Sequence, residues 1–155
     1  MTTVYLIRHG AVSRQAGEHR FIGRLNLPLS DLGRQQMHEL ANHPCLQAVA
    51  RVLSSPLLRC TESSAILSAS LNCPTAEIIP ELAEIALGDW EGLTVAEVKT
   101  RYPGQYEERG ADLAGFRPAN GESFADLQNR CWPILEQAAT GASEHIAIVA
   151  HAGVN

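Results

Sequence analysis

Two stretches near opposite ends of the chain carry residue types that could do chemistry together. The run Val4-Tyr5-Leu6-Ile7 is apolar and β-rich, and it switches abruptly to Arg8, His9 and Gly10. Far along the chain, the apolar run from Ile146 to Ala150 gives way in the same manner to His151, Ala152 and Gly153. A guanidinium beside an imidazole can hold a phosphate oxygen while the imidazole attacks phosphorus. Gly10 leaves no side chain where the backbone turns close to a bound anion. Open α/β sheets hold ligands just beyond the carboxyl ends of their strands, so two such strand ends suggest two imidazoles over one pocket. A third candidate is Arg59. It follows Ser54-Ser55-Pro56 at a strand-to-helix junction, where backbone N–H groups and a fixed positive charge can converge on an anion.

The elements that must position these groups alternate. Short apolar runs over 4–7, 49–53, 76–79 and 146–150 read as strands, with Arg51 interrupting the second. Between them, Ser30 or Asp31 opens a helix to about His43, closed by Pro44, and a second helix runs to about Leu71. Thr94 with Glu97 forms a capping-box pattern for a short helix ending at Arg101. Tyr102 to Asn120, broken by Pro103, Gly104, Gly110, Gly115 and Pro118, reads as a mobile excursion over the site. Gly121-Glu122-Ser123 opens a last helix to about Ala139, with Pro133 a kink or a boundary. The pattern predicts one domain, residues 1–155, with a mainly parallel central sheet in a three-layer α/β/α sandwich.

The composition narrows the function classes. A formal charge of −5 over 155 residues argues against a nucleic-acid or anionic-membrane face, while leaving room for a small anion held by local arginines. No stretch is long and apolar enough to span a membrane, and the first thirty residues do not read as a signal peptide. Cys45, Cys60, Cys73 and Cys131 are scattered, which suits free thiols in a reducing, cytoplasmic setting. The histidines show no ligand spacing, so neither a metal nor a cofactor is expected.

Leu6-Ile7-Arg8-His9-Gly10 resembles the signature of the histidine phosphatase superfamily, which includes the phosphoglycerate mutases. Further matches follow in family order and cover nearly the whole chain. Phe21 to Gly33 resembles a G-x-x-D-x-P-L-x-x-x-G segment at the substrate mouth, with Asn26 in place of the usual Asp. It makes Arg20, Gly23, Arg24 and Asn26 candidate outer substrate contacts. Ser54 to Arg59 matches S-S-P-L-x-R, with Ser63 in place of a later Thr. Glu81, Glu84, Asp89 and Glu91 all sit in one Gly-punctuated loop, and the residues alone do not separate them. The resemblance selects Glu84, the Glu of L-x-E-x-x-x-G-x-W-E-G, as general acid, and leaves Trp90 a packing anchor. The signature tail shows Ala11 and Gln15 where mutases carry an acidic residue and a later Asn.

The resemblance implies a phosphoglycerate mutase-like fold and a phosphomonoester hydrolase acting on small phosphorylated metabolites, closest in type to α-ribazole phosphatases. In that mechanism neutral His9 attacks phosphorus, Arg8, Arg59 and His151 stabilise the equatorial oxygens, and water hydrolyses the phosphohistidine. Glu84 protonates the leaving alkoxide, a role that asks for a raised pKa. Cofactor-dependent phosphoglycerate mutase and a non-catalytic phosphate-binding protein are the alternatives. Family members continue after the His151 motif through at least another helix. The sequence therefore reads as truncated after Asn155, without the helix that covers one apolar sheet face; were it whole, a second copy in a homodimer would have to cover that face.

Overall fold

Four strands, β1 (Val4–Arg8), β2 (Val49–Ser54), β3 (Glu77–Ile78) and β4 (His145–Ala150), form one sheet in the order β1-β4-β2-β3, every pairing parallel. The computed structural model describes residues 2–13, 19–141 and 144–155; Gln15 of the signature tail lies outside them. The strand latest in sequence is thus central. Five of its six residues are fully buried, as a strand covered on both faces requires.

Side chains alternate between the faces of a strand. Ala147 and Val149 join Ile7, Val52, Cys60 and Leu67 beneath α1 (Asp31–Ala41) and α2 (Leu58–Ser70). Ile146, Ile148 and Ala150 join Leu53, Leu82 and Ala138 beneath α5 (Phe124–Thr140). Helices on both faces of a parallel sheet make the expected three layers. A third cluster, built on Trp90, Val98 and Leu127, fills the space under the segment that follows β3.

The caps read from the sequence are in place. Ser30 accepts from the Gly33 N–H at 3.1 Å to start α1, and Thr94 with Glu97 closes a capping box on α3 (Val95–Arg101). Ser123 pairs the same way with Asp126 at the start of α5. One expectation is corrected and a second is narrowed. The excursion 102–120 contains a helix, α4 (Gln105–Ala111), which starts directly after Gly104 at φ 84°. Lys99 of α3 binds Glu107 of α4 at 2.6 Å and lies over the Tyr106 ring, so the breakers delimit a helix rather than a free loop. Of the two readings of Pro133 the boundary is excluded: it lies inside α5, with Leu127, Cys131 and Ala138 buried on either side of it.

Arg51 is exposed at a register shift in β2 and pairs with Glu77 at 2.6 Å, which is how a strand tolerates a charge in its apolar run. Beside the edge strand β1, on the α5 side, Leu6 is 45% exposed. It lines an apolar groove of about 460 Å³ with Phe124, Leu127, Trp132, Leu135 and Val154.

Candidate active site

Strand register brings the two histidines together. Ile7 pairs with Val149 and Arg8 with Ala150, so His9 and His151 are the next pair past the strand ends. The ladder runs one bond further, the His9 N–H donating to the Ala150 carbonyl at 3.1 Å. By alternation both imidazoles belong to the α2 face, and their ring centroids lie 5.3 Å apart in an edge-on arrangement. Arg8 takes the opposite parity. Its exposed guanidinium lines, with His9, Gly10 and Gln36, an open cavity of about 500 Å³.

Each imidazole makes one short contact of 2.7 Å. His9 Nδ1 lies 2.7 Å from the Gly10 carbonyl oxygen. A carbonyl can only accept, so Nδ1 carries a proton, and in the neutral ring the lone pair is on Nε2. Gly10 also serves packing: a Cβ there would clash with the Gly33 carbonyl oxygen of α1. Its N–H donates to Ser63 Oγ at 3.2 Å, and Ser63 donates in turn to the Arg59 carbonyl at 2.7 Å. Ser63 thus ties the end of β1 to α2.

His151 is fully buried, with Nε2 2.7 Å from Ser55 Oγ and 3.4 Å from Cys60 Sγ. Burial first, then the charges of Arg59, His9, Arg130 and Arg8, push its pKa down to about 2, so it is neutral. Cys60 is pushed up to about 12 by burial, against the lowering effect of Arg59 and of the neighbouring Ser55 hydroxyl. It stays a thiol and points its proton at the Ala150 carbonyl, 3.4 Å away.

Arg59 is 2% exposed in the first turn of α2. Its Nη1 donates to the Leu25 carbonyl at 2.7 Å and its Nη2 to the Gly23 carbonyl at 2.8 Å, so it also anchors the mouth segment. Gly23 adopts φ 47°, where its carbonyl turns inward to meet that guanidinium.

Glu84 reaches the same end of the sheet from the segment after β3. Its carboxylate accepts from the Ile85 N–H at 2.9 Å and, at 3.4 Å, from the N–H of Gly153, two residues past His151. A Cβ on Gly153 would stand 2.5 Å from that carboxylate, so the second His-x-Gly glycine makes room for the Glu84 side chain. Trp90 is fully buried between Phe21 and Phe116, at centroid distances of 5.2 and 5.4 Å, a packing anchor as expected.

The outer candidates divide. Arg24 donates from Nε to the Glu84 carbonyl and from Nη2 to Glu122, each at 3.0 Å. Arg130 of α5 grips the same two residues, through Nη2 to the Glu84 carbonyl and through Nε and Nη2 to the Glu122 carboxylate, all at 3.0 Å. It also donates to the Glu81 carbonyl. Glu122 accepts further from the Ala86 N–H at 3.0 Å. Burial raises the Glu122 pKa, but the hydrogen bonds from Arg130 and Ala86 and the charges of Arg130 and Arg24 outweigh it, leaving a net lowering. Arg20 turns to α3, binding the Gly92 carbonyl at 2.8 Å and Glu97 at 3.0 Å. Asn26 Oδ1 accepts from the Leu58 N–H at 2.7 Å, capping α2 from outside, since Leu57 at the cap position supplies no side-chain bond.

Sequence reasoning did not single out Ser55, Cys60 or Arg130. Ser55 and Cys60 stand within and just after the S-S-P-L-x-R motif, which was read for its arginine. Arg130 lies two turns into α5, in step with Leu127 and Ile134, where an arginine on an otherwise apolar helix face was the available signal. Among the described residues no group of three His, Cys, Asp or Glu side chains is placed to hold a metal ion, and no helix is long and apolar enough to cross a membrane.

Two imidazoles, a buried arginine and a carboxylate at the carboxyl end of a parallel sheet make a centre suited to phosphoryl transfer. The chain belongs to the histidine phosphatase superfamily, whose branch 1 matches residues 4–155. It is 32% identical over 157 residues to a glucosyl-3-phosphoglycerate phosphatase of Mycolicibacterium vanbaalenii, covering 96% of this chain and 68% of that protein. A metal-independent phosphoserine phosphatase of Arabidopsis thaliana is 28% identical, covering 99% of this chain and 66% of the relative. The solved structure of a putative α-ribazole-5′-P phosphatase from Escherichia coli superposes with TM-score 0.85 at 26% identity, covering 97% of this chain and 74% of that one. The chain thus spans about two thirds to three quarters of the length of these relatives.

Proposed function

We propose that the chain hydrolyses small phosphomonoesters through a phosphohistidine on His9. The observation that carries this reading is the fixed pair at the strand ends: His9, with its Nδ1 proton held by the Gly10 carbonyl, beside a buried, neutral His151 at 5.3 Å between ring centroids. The His9 Nε2 lone pair forms a bond to phosphorus as the ester P–O bond breaks. Glu84 gives its proton to the leaving alkoxide. Water then attacks the phosphohistidine, losing a proton to the Glu84 carboxylate, and His9 is released with inorganic phosphate. Phosphoryl transfer asks mainly for positioning and for charge on the equatorial oxygens, which Arg8, Arg59 and His151 supply. The substrate class is a small phosphorylated metabolite, in keeping with relatives named as phosphatases of glucosyl-3-phosphoglycerate and phosphoserine. Four free thiols, two of them buried, support a cytoplasmic setting.

The test is a rapid alkaline quench after mixing with labelled substrate, followed by peptide mapping. Acid-labile, alkali-stable phosphate on the His9 peptide is expected; label on His151 instead would reverse the two roles. A panel of phosphomonoesters assayed with and without a phosphoglycerate acceptor separates hydrolase from mutase. Activity is expected to persist in EDTA.

A further inference from the structure

We infer that Ser55 is a positioning residue that fixes the tautomer of His151, donating its hydroxyl proton to Nε2 and so leaving the ring proton on Nδ1. The inference rests on the reading that His151 serves the phosphoryl group as a donor. Ser55 is fully buried, and its Oγ lies 2.7 Å from His151 Nε2. That oxygen already accepts the Leu57 N–H at 3.3 Å, so its own proton must find an acceptor. Two are near it, the imidazole nitrogen and the Cys60 sulfur. The imidazole is much the better acceptor, and a buried hydroxyl with an unspent proton would be costly.

Cys60 does not compete strongly. Its Sγ lies 3.4 Å from Nε2 as well as 3.4 Å from the Ala150 carbonyl, to which it turns its proton, and burial keeps it a thiol. Sulfur is a weak acceptor, so an N–H on Nε2 would gain little from it and the Ser55 hydroxyl decides the tautomer. Nδ1 has the Cys60 sulfur at 3.8 Å, a weak acceptor. The Nδ1 proton gains a strong partner when a phosphoryl oxygen arrives.

The two imidazoles are then set in opposite senses by what touches them. The Gly10 carbonyl holds a proton of His9 on Nδ1, so that in the neutral ring the lone pair falls on Nε2. Ser55 occupies the Nε2 lone pair of His151 and keeps a proton available for binding. Which ring nitrogen is protonated follows from the hydrogen bond the other makes.

Nitrogen-15 ring correlation spectra of the whole chain test this without turnover, with the His151 signals assigned by their loss in His151→Gln. A protonated Nδ1 and a lone-pair Nε2 are expected in the wild type. A protonated Nε2 would mean that Ser55 accepts, and would overturn the inference. In Ser55→Ala the His151 signals should shift toward the other tautomer, and kcat should fall about 10- to 100-fold, the range for losing a group that orients a functional histidine, with KM changing much less. Unchanged tautomer and kcat in that variant would equally overturn it. If the variant does not fold, the wild-type spectrum decides alone. A correct tautomer in a chain that hydrolyses no phosphomonoester would count against the proposed function and leave the tautomer assignment standing.

Discussion

The inner and outer halves of the site are built on different principles. The inner half, His9, His151, Arg59 and Ser55, is set by strand register and by hydrogen bonds to buried backbone and hydroxyl groups. The outer half is a set of ion pairs in which Arg24 and Arg130 share the Glu122 carboxylate and both donate to the Glu84 carbonyl. Register cannot drift without moving a whole strand. Ion pairs can be exchanged one at a time, so the inner half should govern whether chemistry occurs and the outer half how well the acid is placed.

Breaking the inner half should have the largest effect. His9→Ala removes the nucleophile and should lower kcat by about 10³-fold or more, read in single-turnover assays. Glu84→Gln should slow alkyl phosphates by roughly 10²–10⁴-fold and p-nitrophenyl phosphate far less, because nitrophenolate leaves without a proton. Equal losses on both would give Glu84 a structural role only.

Acid should act on the inner half first. The folded pKa of His151 lies below that of the unfolded chain, so the unfolded state binds the extra proton. Stability should therefore fall as pH drops below about 6.5, by up to about 1.4 kcal/mol per pH unit from this group, before the carboxylates titrate. Urea melts at pH 7 and 5 check this, with His151→Gln expected to flatten the slope.

The outer half should yield less. Glu122→Gln should cost about 1–3 kcal/mol, the scale of hydrogen bonds to a charged group, and loosen Glu84. Because the Glu122 pKa is lowered in the fold, its contribution is present above the usual carboxylate range and lost in acid. The smallest effect belongs to Asn26. Asn26→Ala should lose a helix cap worth about 0.5–2 kcal/mol, while Asn26→Asp should keep it, as thermal melts would show.

The same division explains what could be read in advance. Alternating apolar runs, two His-x-Gly strand ends and the capping patterns carry periodic or local signals, and these located the sheet, the helices and the paired histidines. Arg20 and Asn26 had no such signal. Their partners, Glu97 and the Leu58 N–H, lie 77 and 32 residues away, and only the folded chain brings them together. Arg24 is a candidate outer contact by resemblance alone, and the partners of its side chain, Glu122 and the Glu84 carbonyl, lie 98 and 60 residues away. α4 was hidden because Pro103 and Gly104 look like breakers, whereas Gly104 in the left-handed region starts the helix.

The central place of β4 has a consequence in time. On the ribosome β1 and β2 emerge early, but they do not pair with each other, since the strand that joins them is made later. At about 5–20 residues per second, the stretch from β2 to the end of β4 takes on the order of 5 to 20 s to synthesise. Throughout that interval two apolar strands wait with a vacant slot between them, a template for pairing with another nascent chain. His9 is present from the outset without its partner imidazole. The insertion of one strand therefore closes the aggregation-prone gap and completes the pair of histidines in the same event.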